Sequence, residues 1–441
     1  MPNLLVIDQF GCGLDLSVRA KAAGHSVRAF IRHNKDGTRC EIGDGLIHRV
    51  GDWEPSMNWA DLVFVTDNTQ YIYRLEDYRD KGYPIFGCNM EAQKWEQDRC
   101  FGADVMERAG IKTIPMEKFS KYEEAISVVL KNKDKRYVSK PVGDGAKELS
   151  YCSKDWRDLI FMLNKWKKDQ AYAGDFVLQE FHKGSEMAVG GWFGLGGFSQ
   201  HITESWEHKK LMSGEIGPAT GEQGTIVRYV QKSLLFDRVL KPLEDFLHGM
   251  GYTGYIDVNC IVDDKGFPWP LEFTCRPGWP LFQIQQVLHK GDPVEWMMDL
   301  MDGKDTLKVR DDIACGVVVS QPDYPYNGVT VKQNTGYPLF DMCEEDGVTS
   351  NIHFTEMKMG VCPDEKGANK EPCLVTCGSQ ILTVSGTGKT VEESREAAYS
   401  TYEKKVCVIN SPMIRDDIGE KLEAMLPKLQ KHGYATHMKY A

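Results

Sequence analysis

The sequence predicts an α/β protein of about three domains, beginning with a parallel sheet and passing into mixed α/β units. Three observations predict it. The chain has 441 residues, more than a single core usually spans. Its first stretch reads strand, glycine turn, helix, strand, which starts a parallel sheet. Two strand candidates, Tyr255–Val262 and Trp269–Thr274, flank the turn Asp263-Asp264-Lys265-Gly266, so the middle of the chain contains an antiparallel hairpin. The expected units are 1–98, 99–314 and 315–441.

The opening apolar run Leu4–Ile7 enters the turn Gly11-Cys12-Gly13, then a helix from Leu16 to Ala23 and a strand from Val27 to Ile31. Asp61–Thr66 and Pro84–Gly87 read as further buried strands of the same sheet. No third glycine completes a G-x-G-x-x-G fingerprint, which argues against a dinucleotide. A helix is expected over Glu91–Ala109, closed by Gly110. Arg136–Lys140, Phe176–Phe181 and Met187–Phe193 read as strands between charged helices. Gly316–Ser320, Ile352–Phe354 and Gln380–Ser385 follow, with a charged loop near 363–372 and a helix-rich tail.

Hydrophobic residues make up 41% and charged residues 27%, an ordinary globular composition. The net charge of −11 excludes a surface built mainly for phosphate backbones, and no nucleic-acid partner is expected. The 13 cysteines are scattered without a C-x-x-C pair, which removes zinc-ribbon and thioredoxin readings and fits a reducing compartment. The N-terminal apolar run is too short for a signal peptide, and no stretch is long enough to span a membrane. A cytoplasmic protein without membrane contact, a monomer or homodimer, is the expectation.

Three segments could carry chemistry. In Tyr137-Val138-Ser139-Lys140-Pro141-Val142-Gly143-Asp144-Gly145-Ala146-Lys147, a strand ends in a lysine and a glycine loop leads to a second lysine. Glycines admit phosphate oxygens to the backbone, and lysines add point charge. Val177-Leu178-Gln179-Glu180-Phe181, followed by Glu186, could offer adenine an apolar hinge and ribose a carboxylate. Asp257 and Asn259 share a strand face, and Glu272 on the hairpin partner can lie opposite them. Oxygen ligands so arranged suit Mg²⁺ bridging nucleotide phosphates. Ser385-Gly386-Thr387-Gly388-Lys389-Thr390 ends like a P-loop, but position 383 is Thr, so a strand–turn–helix with Thr390 as N-cap is the better reading.

In this order and spacing the three segments resemble the ATP-grasp fold, and the flanks are similar to the phosphoribosylamine–glycine ligase family. Arg99-Cys100-Phe101 stands where that family has Ser-Lys-Ala-Phe. Gly110-Ile111-Lys112-Thr113-Ile114-Pro115 follows as its entry to the small lobe, and Glu180–Glu186 resembles its Glu-Phe-Leu-Asp-Gly-Glu-Glu. His208-Lys209-Lys210 and Gly217-Pro218-Ala219-Thr220-Gly221-Glu222-Gln223-Gly224 resemble its His-Lys-Arg and Gly-Pro-Asn-Thr-Gly-Gly-Met-Gly. Tyr252–Tyr255 and Glu272–Arg276 resemble its Tyr-Thr-Gly-Phe and Glu-Phe-Asn-Cys-Arg. Counterparts continue through Gly316–Val319, Gly336–Leu339, Thr390–Tyr399 and Arg415–Gly419, so the likeness runs nearly end to end.

The resemblance implies a pre-ATP-grasp N-terminal domain, a two-lobed ATP-grasp domain (small lobe about 110–182, large lobe about 183–314) and a C-terminal mixed α/β domain. It implies ATP and Mg²⁺ or Mn²⁺ as cofactors, and a small carboxylate, such as glycine, joined to an amine through an acyl phosphate. Arg99, Lys140, Lys147, the Gln179–Glu180–Phe181 hinge and Glu186 would hold the nucleotide; Asp257, Asn259 and Glu272 the metal; Arg276, Lys209 and Lys210 the carboxylate or acyl phosphate. The glycine-rich segment Gly217–Gly224 would be a mobile cover. A nucleotide-binding regulator without activity is the alternative. The departures fall in substrate regions: the family's Gly-Gly-Arg-Glu-His is replaced by a loop, Gly11-Cys12-Gly13-Leu14-Asp15, that lacks a cation and gains a carboxylate. Its Gly-Pro-Glu-Ala-Pro-Leu becomes Val65–Gln70, and its metal-binding Asn becomes Thr274.

Overall fold

The computed structural model describes residues 1–34, 37–68, 70–142, 150–171, 174–326, 331–349, 351–406 and 410–441. Five parallel strands open the chain: β1 (Asn3–Asp8), β2 (Ser26–Ile31), β3 (His48–Arg49), β4 (Leu62–Val65) and β5 (Ile85–Phe86). Their order is β3-β2-β1-β4-β5. Leu4 to Ile7 are buried on both faces, as an unbroken apolar run in a parallel sheet requires. The turn into α1 (Leu14–Ala22) needs its glycines. Gly11 has φ +84°, and a Cβ on Gly13 would sit 2.6 Å from Val6 Cγ1.

The helix expected over Glu91–Ala109 is two helices. α2 (Ile72–Arg79) precedes them; α3 (Met90–Gln97) and α4 (Arg99–Arg108) are separated at Asp98. Asp98 is extended, and its carboxylate accepts the N–H groups of Cys100 and Phe101. The aspartate competes with the helix backbone and caps a new start.

A small lobe follows: the antiparallel sheet β6-β9-β7-β8, made of β6 (Met116–Phe119), β7 (Tyr137–Pro141), β8 (Tyr151–Cys152) and β9 (Phe176–Glu180). α5 (Tyr122–Lys131) and α6 (Trp156–Asp169) supply the rest of its own core, in which Phe119, Val129, Leu159, Leu163 and Trp166 pack with Tyr137, Phe176 and Leu178.

The large sheet has eight strands, ordered β14-β13-β10-β11-β12-β17-β22-β19. They are β10 (Ser185–Gly194), β11 (Gly197–Met212), β12 (Ile216–Val230), β13 (Gly254–Val262), β14 (Pro268–Thr274), β17 (Ile313–Ser320), β19 (Ile352–Phe354) and β22 (Gln380–Gly388); β15 (His289–Lys290) and β16 (Lys308–Val309) form a separate ribbon. A third sheet, β18-β21-β20, holds β18 (Thr335–Pro338), β20 (Met357–Pro363) and β21 (Asn369–Cys377), so half of the expected charged loop is strand. Gly224–Arg228 on β12 pair with Ile313–Val317 on β17, so the large sheet runs straight through position 314/315. The glycine-rich segment Gly217–Gly224 lies within β12 rather than in a loop, because the long hairpin partner β11 pairs with it. No helix among the described residues is long and apolar enough to cross a membrane.

Several histidines are buried in contacts that need the neutral ring. His208 Nε2 accepts the Gly419 N–H at 3.1 Å, and burial together with Lys421 and Arg415 pushes this group down to about 2. Burial pushes His289 down to about 3 and also lowers His353, which lies between Asp15 and Ser385. In the unfolded chain each ring takes a proton near pH 6.5. Below that value the unfolded state binds protons that the fold refuses, so stability falls as pH falls. In an NMR titration of the folded protein from pH 7.5 to 5, the His208 and His289 rings should therefore keep the chemical shifts of neutral imidazole. A shift change with a midpoint near the ordinary value of about 6.5 would mean that these rings take protons in the fold.

Candidate active site

Strand alternation aims the site residues across a cleft between the two lobes. On β7, Tyr137 points into the helix-covered core, so Lys140 and Val138 lie on the opposite face. Val177 and Gln179 of β9 stand directly beside them. On the large sheet, Asn259 is opposite Glu272, Asp257 is opposite Thr274, and Ala188 and Gly190 of β10 lie across from Asn259 and Asp257. Glu186 is on the same face, two residues from Ala188. Gly190 is required there: a Cβ would fall 2.8 Å from Asp257 Cβ and against Tyr255.

The centre is Glu272. Arg99, the first residue of α4, forms an ion pair with its Oε2, and Lys209 Nζ of β11 lies 3.7 Å from its Oε1. Lys209 also pairs with Glu207 Oε2 at 3.2 Å, and Asn259 Nδ2 reaches Glu207 Oε1 at 3.5 Å. Burial alone would push the Glu272 carboxyl up; Arg99, Lys209 and Lys140 outweigh it and hold it well below the usual carboxylate range. Burial lowers Lys140 to about 8, opposed by Glu272. Glu207 raises Lys209 despite its burial. Three cations from three elements thus converge on one carboxylate. Such a cluster can receive the charge of a polyphosphate without reorganising.

Two further carboxylates are buried beside it. Asp257 is 2% exposed and Glu222 is 4% exposed. Asp257 Oδ1 and Glu222 Oε1 find no hydrogen-bond partner among the described residues. Burial, then Glu207, raises both groups well above the carboxylate range. Among the described residues no three Asp, Glu, His or Cys side chains enclose a metal ion. Mg²⁺ asks for less, one or two carboxylates completed by phosphates and water. The orphaned Asp257 oxygen and the Glu272 carboxylate fit that requirement, with Asn259 on the same face.

The other expected residues are placed differently. Arg276 pairs with Glu96 at 3.3 Å, and Glu96 also accepts the Cys275 N–H at 2.7 Å. Lys210 contributes its carbonyl, which accepts Arg415 Nη1 at 2.8 Å. In the hinge, Gln179 is buried, the Glu180 N–H donates to Pro115 O, and the Phe181 N–H donates to Arg136 O. The Glu180 side chain pairs with Lys135, and the Arg136 guanidinium covers the Phe181 ring at 3.6 Å. Lys147 and the glycines before it lie outside the described residues. Sequence reasoning passed over Glu96, Glu207, Glu222 and Lys421. Two of them carried a signal: Glu207 is adjacent to His208-Lys209, and Glu222 replaces a glycine of the family's glycine-rich segment.

At the N-terminal sheet, the loop after β1 is filled from within. Asp8 Oδ1 accepts the Phe10 and Gly11 N–H groups at 3.0 and 3.2 Å and the Thr66 hydroxyl at 2.9 Å. Its Oδ2 accepts the Gly13 N–H at 2.7 Å. Asp15, expected to face this loop, points inward instead, bonded to Arg19, His353 and Gln286.

Residues 97–281 match the family model of the phosphoribosylglycinamide synthetase ATP-grasp (A) domain. The phosphoribosylamine–glycine ligase of Salmonella typhimurium is 25% identical over 358 residues, 77% of this chain and 79% of that protein. The human trifunctional purine biosynthetic protein adenosine-3 is 29% identical over 364 residues, 79% of this chain and 34% of the human protein. The crystal structure of the phosphoribosylamine–glycine ligase from Thermotoga maritima superposes with a TM-score of 0.70 at 21% identity, covering 95% of this chain and 100% of that one. The chain has the ATP-grasp fold and is a divergent relative of the phosphoribosylamine–glycine ligases.

The segment resembling a P-loop is structural. Ser385–Gly388 continue β22, Lys389 Nζ pairs with Asp312 at 2.8 Å, and Thr390 caps the helix Val391–Lys405. Lys389→Ala should leave ATP affinity within about twofold by calorimetry, well under 1 kcal/mol. A loss of ATP affinity greater than about tenfold, at unchanged thermal stability, would move the nucleotide to this end of the molecule.

Proposed function

We propose that the chain is an ATP-dependent carboxylate–amine ligase, and the observation that carries this is the convergence of Arg99, Lys140 and Lys209 on Glu272. A carboxylate oxygen attacks the γ-phosphorus of ATP, the bond to ADP breaks, and an acyl phosphate forms. An amine nitrogen then attacks the acyl carbon, the carbon–oxygen bond to phosphate breaks, and the nitrogen gives up its proton. Little covalent work falls to the protein in such a transfer; positioning and charge stabilisation dominate. Lys140 acts on the phosphates from the small lobe and Arg99 from the start of α4, with Lys147 as a further contact. Lys209 acts from the large sheet on the acyl phosphate. The apolar backbone at Gln179–Phe181 takes adenine and Glu186 the ribose hydroxyls.

Asp257 and Glu272, with Asn259, would hold Mg²⁺, which supplies electrophilic neutralisation of the phosphoryl oxygens when bound. Arg99 occupies Glu272 until then, keeping a buried carboxylate compensated. Arg276 is held by Glu96 at the mouth toward the N-terminal sheet and is the candidate contact for the carboxylate substrate. The reaction belongs to the cytosol, and both organic substrates are small molecules.

The amine is not phosphoribosylamine seated in the loop after β1. Backbone N–H groups at such a turn form an anion cradle, and Asp8 already fills it. A phosphate entering there would displace a carboxylate that accepts four hydrogen bonds.

Incubating the protein with Mg-ATP, a panel of small carboxylates and hydroxylamine should yield ADP and a hydroxamate with at least one carboxylate. Lys140→Ala and Glu272→Ala should each lower that rate by about 10²–10³ in protein that melts cooperatively. Either variant turning over near the wild-type rate would remove its residue from the site. With glycine, Mg-ATP and freshly generated phosphoribosylamine, product should form far below ordinary enzyme rates. A Michaelis constant for that amine below about 1 mM, with normal turnover, would show that the Asp8-filled loop does not exclude it.

A further inference from the structure

Resting on the ligase reading, we propose that Glu222 is the residue that recognises the amine of the second substrate, so that this ligase selects a cationic primary amine. Glu222 stands where the similar family has a glycine in Gly-Pro-Asn-Thr-Gly-Gly-Met-Gly, so the carboxylate belongs to this chain's own specificity.

The fold shows how it is aimed inward. Across β11 and β12, His208 pairs with Gly224 and Lys210 with Ala219. Thr220, Gly221, Glu222 and Gln223 therefore all lie opposite Lys209 alone. A bulge of that size breaks the side-chain alternation and redirects residues. Its flanks are pinned: Thr220 Oγ1 donates to Lys209 O at 2.9 Å, and Gln223 Nε2 reaches Thr220 Oγ1 and Tyr324 Oη at 3.3 Å. The carboxylate between them is 4% exposed, its Oε1 has no partner among the described residues, and its charged neighbours are Glu207, Lys209, Asp257 and Lys421.

A buried carboxylate oxygen without a donor is costly, and a binding site is where such a cost is tolerated. The missing donor is a ligand's. An ammonium needs only one or two acceptors, and its N–H groups supply the donor that Glu222 lacks; one of its protons passes to the Glu222 carboxylate before the freed nitrogen lone pair attacks the acyl carbon. Its place is right for the reaction, because Lys209, the residue facing the bulge, is also the large-sheet cation nearest Glu272.

The test uses the full-length protein, Mg-ATP and the carboxylate that gives most hydroxamate. Hydroxylamine, neutral near pH 7.5, competes in one tube with methylamine, ethanolamine or putrescine, and amide and hydroxamate are counted by mass spectrometry. Wild-type protein should form an amide from at least one of these amines. In Glu222→Gln the amide-to-hydroxamate ratio should drop by about tenfold or more, while the hydroxamate rate stays within about threefold. Glu222→Asp should restore part of the ratio. An unchanged ratio in Glu222→Gln overturns the proposal. So does a raised Mg²⁺ requirement for both products at a constant ratio, which would make Glu222 a metal ligand. Wild-type protein that makes hydroxamate but no amide from any of the three overturns the amine assignment alone. Absence of hydroxamate with every carboxylate sinks the ligase reading beneath it.

Discussion

The Glu272 carboxylate, drawn to Arg99 and Lys209 and facing Lys140, is the contact on which the arrangement of the lobes depends. Each of these charges loses hydration on burial, at an effective cost of several kcal/mol per ion. None could remain buried alone. Arg99 starts α4, Lys140 ends a small-lobe strand, Lys209 lies on the long hairpin and Glu272 on an edge strand, so mutual compensation ties four elements together. Arg99, Lys140 and Lys209 outnumber Glu272 and Glu207, so the empty cluster keeps an excess of positive charge that a polyphosphate would take up on binding.

The stretch after residue 315 supports that cluster from behind. Arg415 is fully buried; it binds Asp417 and Glu215 and donates to the Lys210 carbonyl. Lys421 Nζ donates to Glu207 O at 2.6 Å, and the Gly419 N–H is taken by His208. Glu207 and Lys210 through their carbonyls and His208 through its ring are therefore fastened, on either side of Lys209, to one C-terminal segment. With β17 joined to β12 in the same sheet, the arm that carries Lys209 is held on two sides. A phosphate-facing lysine on a hairpin otherwise exposed at its tip gains a fixed position this way.

The first strands of the N-terminal sheet, the Asp257–Glu272 hairpin and the strand carrying Lys140 could be read from the sequence because each is local: alternation puts residues two apart on one face. Ile352–Phe354 was placed to the residue for the same reason. What could not be read is long-range or depends on competition. The break at Asp98 lies inside an amphipathic pattern that reads as one helix, and only the cap geometry ends it. The resemblance makes Gly217–Gly224 a mobile cover, yet a long partner strand draws it into the sheet. Glu96 acquires its role through Cys275 and Arg276, far along the chain. Glu222 acquires its role through a bulge that no local pattern announces.

Two other constellations show that geometry without access is not a site. Asp15 Oδ2, His353 Nδ1, His353 Nε2 and Ser385 Oγ form a relay with contacts of 3.0 and 2.8 Å, the order of a nucleophilic triad. All three residues are buried to 1% exposure or less, and Arg19 and Gln286 also bind Asp15, so the relay joins the first sheet to the last strands. In the loop after β1, the N–H groups point as an anion cradle requires, but Asp8 is already inside it. Glu222 differs from both in the one respect that matters. Its neighbours are charged groups of the cleft, and its carboxylate oxygen still lacks the donor that the other two sites already possess.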